Sequence, residues 1–87
     1  MVEIIRMPRF DRNVKKIKDK KIKEKIKKKI KKIIDYPQVG EFLRYRKGER
    51  KIYIKPFRLL YSYDEKNNRI YLIDFDRKDK VYKNNCI

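Results

Sequence analysis

Five side chains in the second half of the sequence carry the chemistry this chain has to offer: Lys51, Tyr53, Arg58, Arg77 and Tyr82. Cations hold phosphates and aromatic rings stack unpaired bases, so the set describes a basic groove for a nucleic-acid strand. Its spacing is that of a sheet. In residues 50–55, Ile52 and Ile54 fall on one face of a strand and Lys51, Tyr53 and Lys55 on the other, because side chains alternate. In residues 57–63, Arg58 and Ser62 alternate with Phe57, Leu59, Tyr61 and Tyr63. Arg77, Lys78, Lys80 and Tyr82 follow the last apolar run. Antiparallel pairing brings such residues together. The same row equally fits the ordinary polar face of an open antiparallel sheet.

Other chemistries are poorly supplied. The chain has no histidine, which removes the commonest general base and the commonest metal ligand together. There is no ligand cluster and no glycine-rich phosphate loop, so no metal or organic cofactor is expected. The one cysteine, Cys86, cannot form an internal disulfide, which fits a reducing cytoplasm. No signal peptide is expected, and the longest uncharged apolar run is far below the ~18 residues that cross a membrane.

Charge narrows the partners. Lys and Arg number 28 against 12 Asp and Glu, a net charge of +16 on 87 residues. A field of that sign attracts polyanions, with binding that weakens steeply as salt rises. Twelve of the lysines lie in residues 15–34, beside only Asp19 and Glu24. That stretch resembles a basic amphipathic helix for a membrane surface, but its apolar face is isoleucine alone, without a Trp or Phe anchor. It fits better as the inner face of a helix packed on a sheet.

The elements that position the candidate residues follow from periodicity. Val2, Ile4 and Ile5 make a short first strand. Pro8 suits a first helical turn, and Phe10, Val14 and Ile17 share one helical face. Ile22, Ile26, Ile30, Ile33 and Ile34 make a second stripe out of register with the first, and Asp19 in the break is placed to cap it. The pattern predicts helices over 8–18 and 20–34, the second ended by Tyr36-Pro37. From Phe42 the period becomes two. Residues 42–46 and 50–55 flank a Lys47-Gly48-Glu49 turn, and strands over 57–63 and 69–75 flank a polar loop with Asn67-Asn68. Residues 76–82 read as a short connection. The expectation is one domain, 1–87, of the α+β class in the order β-α-α-β-β-β, with a two-helix hairpin on one face of an antiparallel sheet.

The segment Arg50-Lys51-Ile52-Tyr53-Ile54-Lys55-Pro56-Phe57-Arg58-Leu59-Leu60-Tyr61 resembles the central hairpin of RelE/ParE superfamily toxins. Arg77-Lys78-Asp79-Lys80-Val81-Tyr82 resembles their closing motif, and the resemblance spans residues 8–83. For a RelE-like member it implies a toxin of a type II toxin–antitoxin pair. Such a toxin is a metal-independent endoribonuclease that binds an A-site codon on the ribosome. It cuts the messenger by attack of a ribose 2′-OH on the adjacent phosphate. Residue by residue, Lys51 would stabilise charge or help deprotonate the 2′-OH, and Tyr53 stands where a second basic residue is usual. Arg58 would hold the reacting phosphate, and Arg77 would hold phosphate if a one-residue slip is allowed. Tyr82 would stack on a base. The implied partners are the ribosome, its messenger, and a small acidic or amphipathic antitoxin, partly disordered when free, in a complex able to bind operator DNA. Two alternatives remain open at this point: a ParE-like DNA gyrase poison, and a basic nucleic-acid binder without chemistry.

Overall fold

A computed structural model describes residues 2–44 and 47–77. Its elements are β1 (Glu3–Arg6), α1 (Pro8–Lys15), α2 (Lys20–Asp35), β2 (Glu41–Phe42), β3 (Glu49–Ile54), β4 (Phe57–Asp64) and β5 (Arg69–Arg77). The two helices are separate, as the broken stripe predicts. α1 stops at Lys15, short of 18, because Lys16 and Ile17 turn back to the carbonyls of Asn13 and Val14, three residues behind, at 3.3 and 3.0 Å. Asp19 caps α2, its Oδ1 accepting from the Lys21 amide at 2.9 Å. Tyr36, held out of the helical region before Pro37, ends it. The turn residues behave as their types require: Gly48 has φ 84° and Asn68 φ 54°.

The sheet runs β1-β5-β4-β3-β2. β2–β3, β3–β4 and β4–β5 are antiparallel, but β1 lies parallel to β5, with Glu3 opposite Arg69 and Arg6 opposite Leu72. The sheet is therefore mixed, where an antiparallel one was expected, and has five strands, one more after the helices than the order β-α-α-β-β-β allows. A period of two marks which face a residue takes and carries no sign of strand direction. Direction comes from connectivity: β1 leads into the helices, and the whole of β2–β4 intervenes before β5, ample chain for a parallel pairing. β5 is also longer than expected, taking in Asp76 and Arg77. Of the expected 42–46 run only Phe42 is strand among the described residues, in a β2 that begins one residue earlier at Glu41.

Helix α1 packs on β5 and α2 on β3. Phe10, Ile26 and Ile33 bury against Ile54, Leu59, Tyr61, Ile70, Leu72 and Phe75 in one core. Phe57 and Phe75 stack at 4.8 Å where that core ends. A β-bulge interrupts the β4–β5 pairing: Leu60 faces Asp74, yet its neighbour Tyr61 faces Leu72. Beyond Tyr61, the chain between α2 and β2 is tied down by polar contacts. The Tyr61 hydroxyl donates to the Pro37 carbonyl at 2.8 Å and accepts from the Gly40 amide at 2.8 Å. A Cβ on Gly40 would meet the Tyr61 ring and hydroxyl at 2.8 Å and the Lys51 carbonyl at 2.9 Å, so only glycine fits there. Arg50 adds bonds from Nη1 to the carbonyls of Gln38 and Gly40 at 3.1 and 2.7 Å, and covers the Phe42 ring at 3.8 Å.

Removing the Tyr61 hydroxyl strands a buried amide and a carbonyl. Tyr61→Phe should cost about 1–3 kcal/mol in denaturant unfolding at neutral pH. Burial pushes the Tyr61 phenol above its ordinary value of 10.0, against the smaller opposing pulls of Gly40 and Arg50. The unfolded chain therefore loses this proton first, and the stability it contributes falls as pH rises past about 10. Melts from pH 9 to 11 should show the wild type losing stability faster than Tyr61→Phe; parallel curves would contradict this.

Candidate functional site

The alternation of β3 and β4 assigns the sheet's two faces. Ile52 and Ile54 of β3 and Leu59 and Tyr61 of β4 turn toward the helices. Lys51, Tyr53 and Arg58 turn away, onto the sheet face opposite α1 and α2. Tyr53 is paired directly with Arg58, which is paired in turn with Asp76 on β5, so one row crosses three strands. Lys51 pairs next with Leu60, whose β5 partner at the bulge is Asp74, a residue whose side chain turns to α1. The Lys51 ammonium lies 5.4 Å from the centre of the Tyr53 ring, and Tyr53 is 37% exposed. Three of the five expected residues are thus brought together.

Arg58 does not stand alone. Its Nε donates to Asp76 Oδ1 at 3.1 Å and its Nη2 to Asp76 Oδ2 at 3.4 Å, a two-point contact with side chains only 18% and 29% exposed. Asp76 was not singled out from sequence, because residues 76–82 read as a connection; with β5 extending to Arg77, the register places its carboxylate opposite the guanidinium. Asp74, two residues earlier, is buried and used differently. It accepts from Asn13 Nδ2 at 2.8 Å and from the Phe75 amide at 2.7 Å, with Arg9 at 3.9 Å. The bulge at Leu60/Tyr61 is what lets two acids of one strand serve different elements.

Arg77 falls across the pleat from Arg58. It pairs with Phe57, not Arg58, and its guanidinium lies 5.7 Å from the Phe57 ring centre. There it borders a groove of about 180 Å³ with Asn13, Lys16, Ile17, Phe57, Phe75 and Asp76. A shift of one residue exchanges faces in a strand, and β5 continuing through Arg77 makes its parity decisive. Tyr82 and Cys86 lie outside the described residues. Among the described residues no group of three His, Cys, Asp or Glu side chains is placed to hold a metal ion, and no helix is long and apolar enough to cross a membrane.

A family model described as the ParE toxin of the type II toxin–antitoxin system, parDE, matches residues 4–82. No curated protein matches the chain. Among solved structures, the chain resembles the toxin of the intact Escherichia coli RelBE toxin–antitoxin complex, with TM-score 0.77 and 18% identity over 88% of this chain and 96% of that one. An E. coli RelE mutant in complex with an antitoxin RelB peptide is similar at TM-score 0.79 and 19% identity, over 97% and 93%. The RelBE2 toxin–antitoxin complex of Mycobacterium tuberculosis is similar at TM-score 0.73 and 19% identity, over 88% and 98%. Identities this low speak for a shared fold.

The Arg58–Asp76 contact is a two-point polar link between β4 and β5. A double-mutant cycle with Arg58→Ala and Asp76→Ala, read by denaturant unfolding, should give a coupling of about 1 kcal/mol. A coupling indistinguishable from zero would mean the two side chains do not hold each other in solution.

Proposed function

This chain belongs to the ParE toxin family of type II toxin–antitoxin systems, and we propose that within it the protein is a ribosome-dependent endoribonuclease that cuts messenger RNA. The observation that carries this reading is the cluster of Lys51, Tyr53 and Arg58 on the sheet face opposite α1 and α2. A shallow, cationic, partly aromatic sheet face suits a single RNA strand, whose bases are splayed and stacked while its phosphates are held. Arg58 takes the scissile phosphate and stabilises the charge that builds on it as the 2′-oxygen attacks. Lys51 stabilises the same charge or assists loss of the 2′-OH proton. Tyr53 stacks on a base or relays a proton. Tyr82 stacks on a base, and Arg77, which lies across the sheet from these residues beside Phe57, takes no step. No cofactor enters these steps.

The proposed partner in the resting cell is a small acidic or amphipathic antitoxin that folds as it binds. Antitoxin chains accompany the toxins in the E. coli and M. tuberculosis complexes, and coupled folding lets a short chain cover a large basic surface. A second reading, a DNA gyrase poison, is favoured by one observation: Arg58 is already engaged by Asp76, as a residue with a purely architectural role would be.

Purified protein on translating ribosomes separates the two. Codon-specific cuts are expected, mapped by primer extension. In single-turnover reactions Arg58→Ala should cut about 10²–10³-fold more slowly, with affinity changed far less, because its contact grows with the developing charge. Tyr82→Phe should cut nearly as wild type and Tyr82→Ala poorly if the ring stacks. Intact messenger, with DNA breaks when gyrase is supplied, would establish the second reading.

A further inference from the structure

Resting on the nuclease reading, we infer that Asp76 is a positioning residue for Arg58, aiming its guanidinium at the scissile phosphate rather than masking it. The geometry is specific. Asp76 occupies the Nε–Nη2 edge of the guanidinium. A guanidinium has five N–H donors in a planar fork, and a carboxylate on this edge takes two. Three remain, including both on Nη1, and among the described residues no group accepts from Nη1. Among the described residues the Nη1–Nη2 edge is therefore unclaimed while Asp76 remains bound, and it is the edge a phosphate would take. Asp76 also removes the main freedom of a long side chain, rotation about its terminal bonds, before RNA arrives.

Charge makes the placement informative. A carboxylate in the middle of a phosphate-binding face weakens its attraction for a polyanion. The neighbouring acid, Asp74, is taken up by Asn13 and the Phe75 amide, away from Arg58. Asp76 alone of the two faces the arginine, part-buried on the row that crosses Tyr53, Arg58 and Asp76. What it supplies there is direction at the expense of net charge. That exchange has a signature no merely structural ion pair produces: without Asp76 the protein holds RNA as well or better, and cuts it more slowly.

The test compares Asp76→Ala, Asp76→Asn and Asp76→Glu, with thermal melts identifying the variants that fold. On programmed ribosomes, Asp76→Ala should lower the single-turnover cutting rate on the order of a hundredfold, the cost typical of a misplaced group. Affinity for the ribosome should be unchanged or tighter, and Asp76→Glu should recover part of the rate. Wild-type or faster cutting by Asp76→Ala would make Asp76 a mask and overturn the inference, as would rate and affinity falling together. A second measurement does not depend on cutting. In nitrogen-15 spectra of the arginine side chains, an RNA trinucleotide with one 2′-deoxy sugar should shift Arg58 Nη while its Nε–H stays bonded to Asp76. Loss of the Nε–H signal on binding, or no Nη shift at saturation, would overturn it too. Failure of the nuclease reading looks different: the wild type leaves messenger intact, while the Arg58 spectra still decide what Asp76 does.

Discussion

Burial of Phe10, Ile26 and Ile33 on one face of the sheet is the constraint on which everything else turns. A chain with 28 cationic side chains has few places to make a core. Each helix here offers one narrow apolar stripe, and burying a large apolar side chain is worth roughly 1.5–3 kcal/mol. Those stripes can meet only a sheet face that is itself apolar, which selects Ile52, Ile54, Leu59 and Tyr61 as its inner residues. Side chains alternate without exception along a regular strand, so the same choice sends Lys51, Tyr53 and Arg58 outward. The candidate site is thus a by-product of how the core is built. Its three residues converge because their neighbours in sequence must be buried.

Where the regular pattern breaks, function and architecture divide. The bulge between Leu60 and Tyr61 breaks the pairing of β4 with β5, and it separates the duties of Asp74 and Asp76. The first ties α1 to β5 through Asn13; the second grips Arg58. On the other side of β4, the Tyr61 hydroxyl and Arg50 draw the chain after α2 onto the sheet. This closes the helix-side layer, and among the described residues no helix lies over the outward face of β3 and β4.

Much of this was legible in the sequence, for reasons that are physical. Stripes of isoleucine at helical spacing, a capping Asp19, a proline after Tyr36 and alternating residues in 50–63 are local signals, and each marked its element within a few residues. The parallel pairing of β1 was not legible, because direction leaves no trace in alternation. Nor was the close approach of Gly40 to Tyr61, a contact across 21 residues that no local pattern announces. Within the site, Lys51, Tyr53 and Arg58 could be read from parity. Arg77 could not, because β5 runs two residues further than its apolar run and puts Arg77 beside Phe57 on the helix side. Asp76 was hidden by the same extension: treated as connection rather than strand, it had no register and so no partner.

The placement of the working face is tested most directly by where RNA touches the protein. A photoreactive phenylalanine analogue introduced at Tyr53, or at Lys25 on the exposed side of α2 as a comparison, can be cross-linked on programmed ribosomes and the attachment points sequenced. Position 53 should attach to the messenger at the decoding site, and position 25 should not. Attachment to messenger from position 25 with none from position 53 would contradict the assignment of the Lys51, Tyr53 and Arg58 face as the one that holds the RNA to be cut.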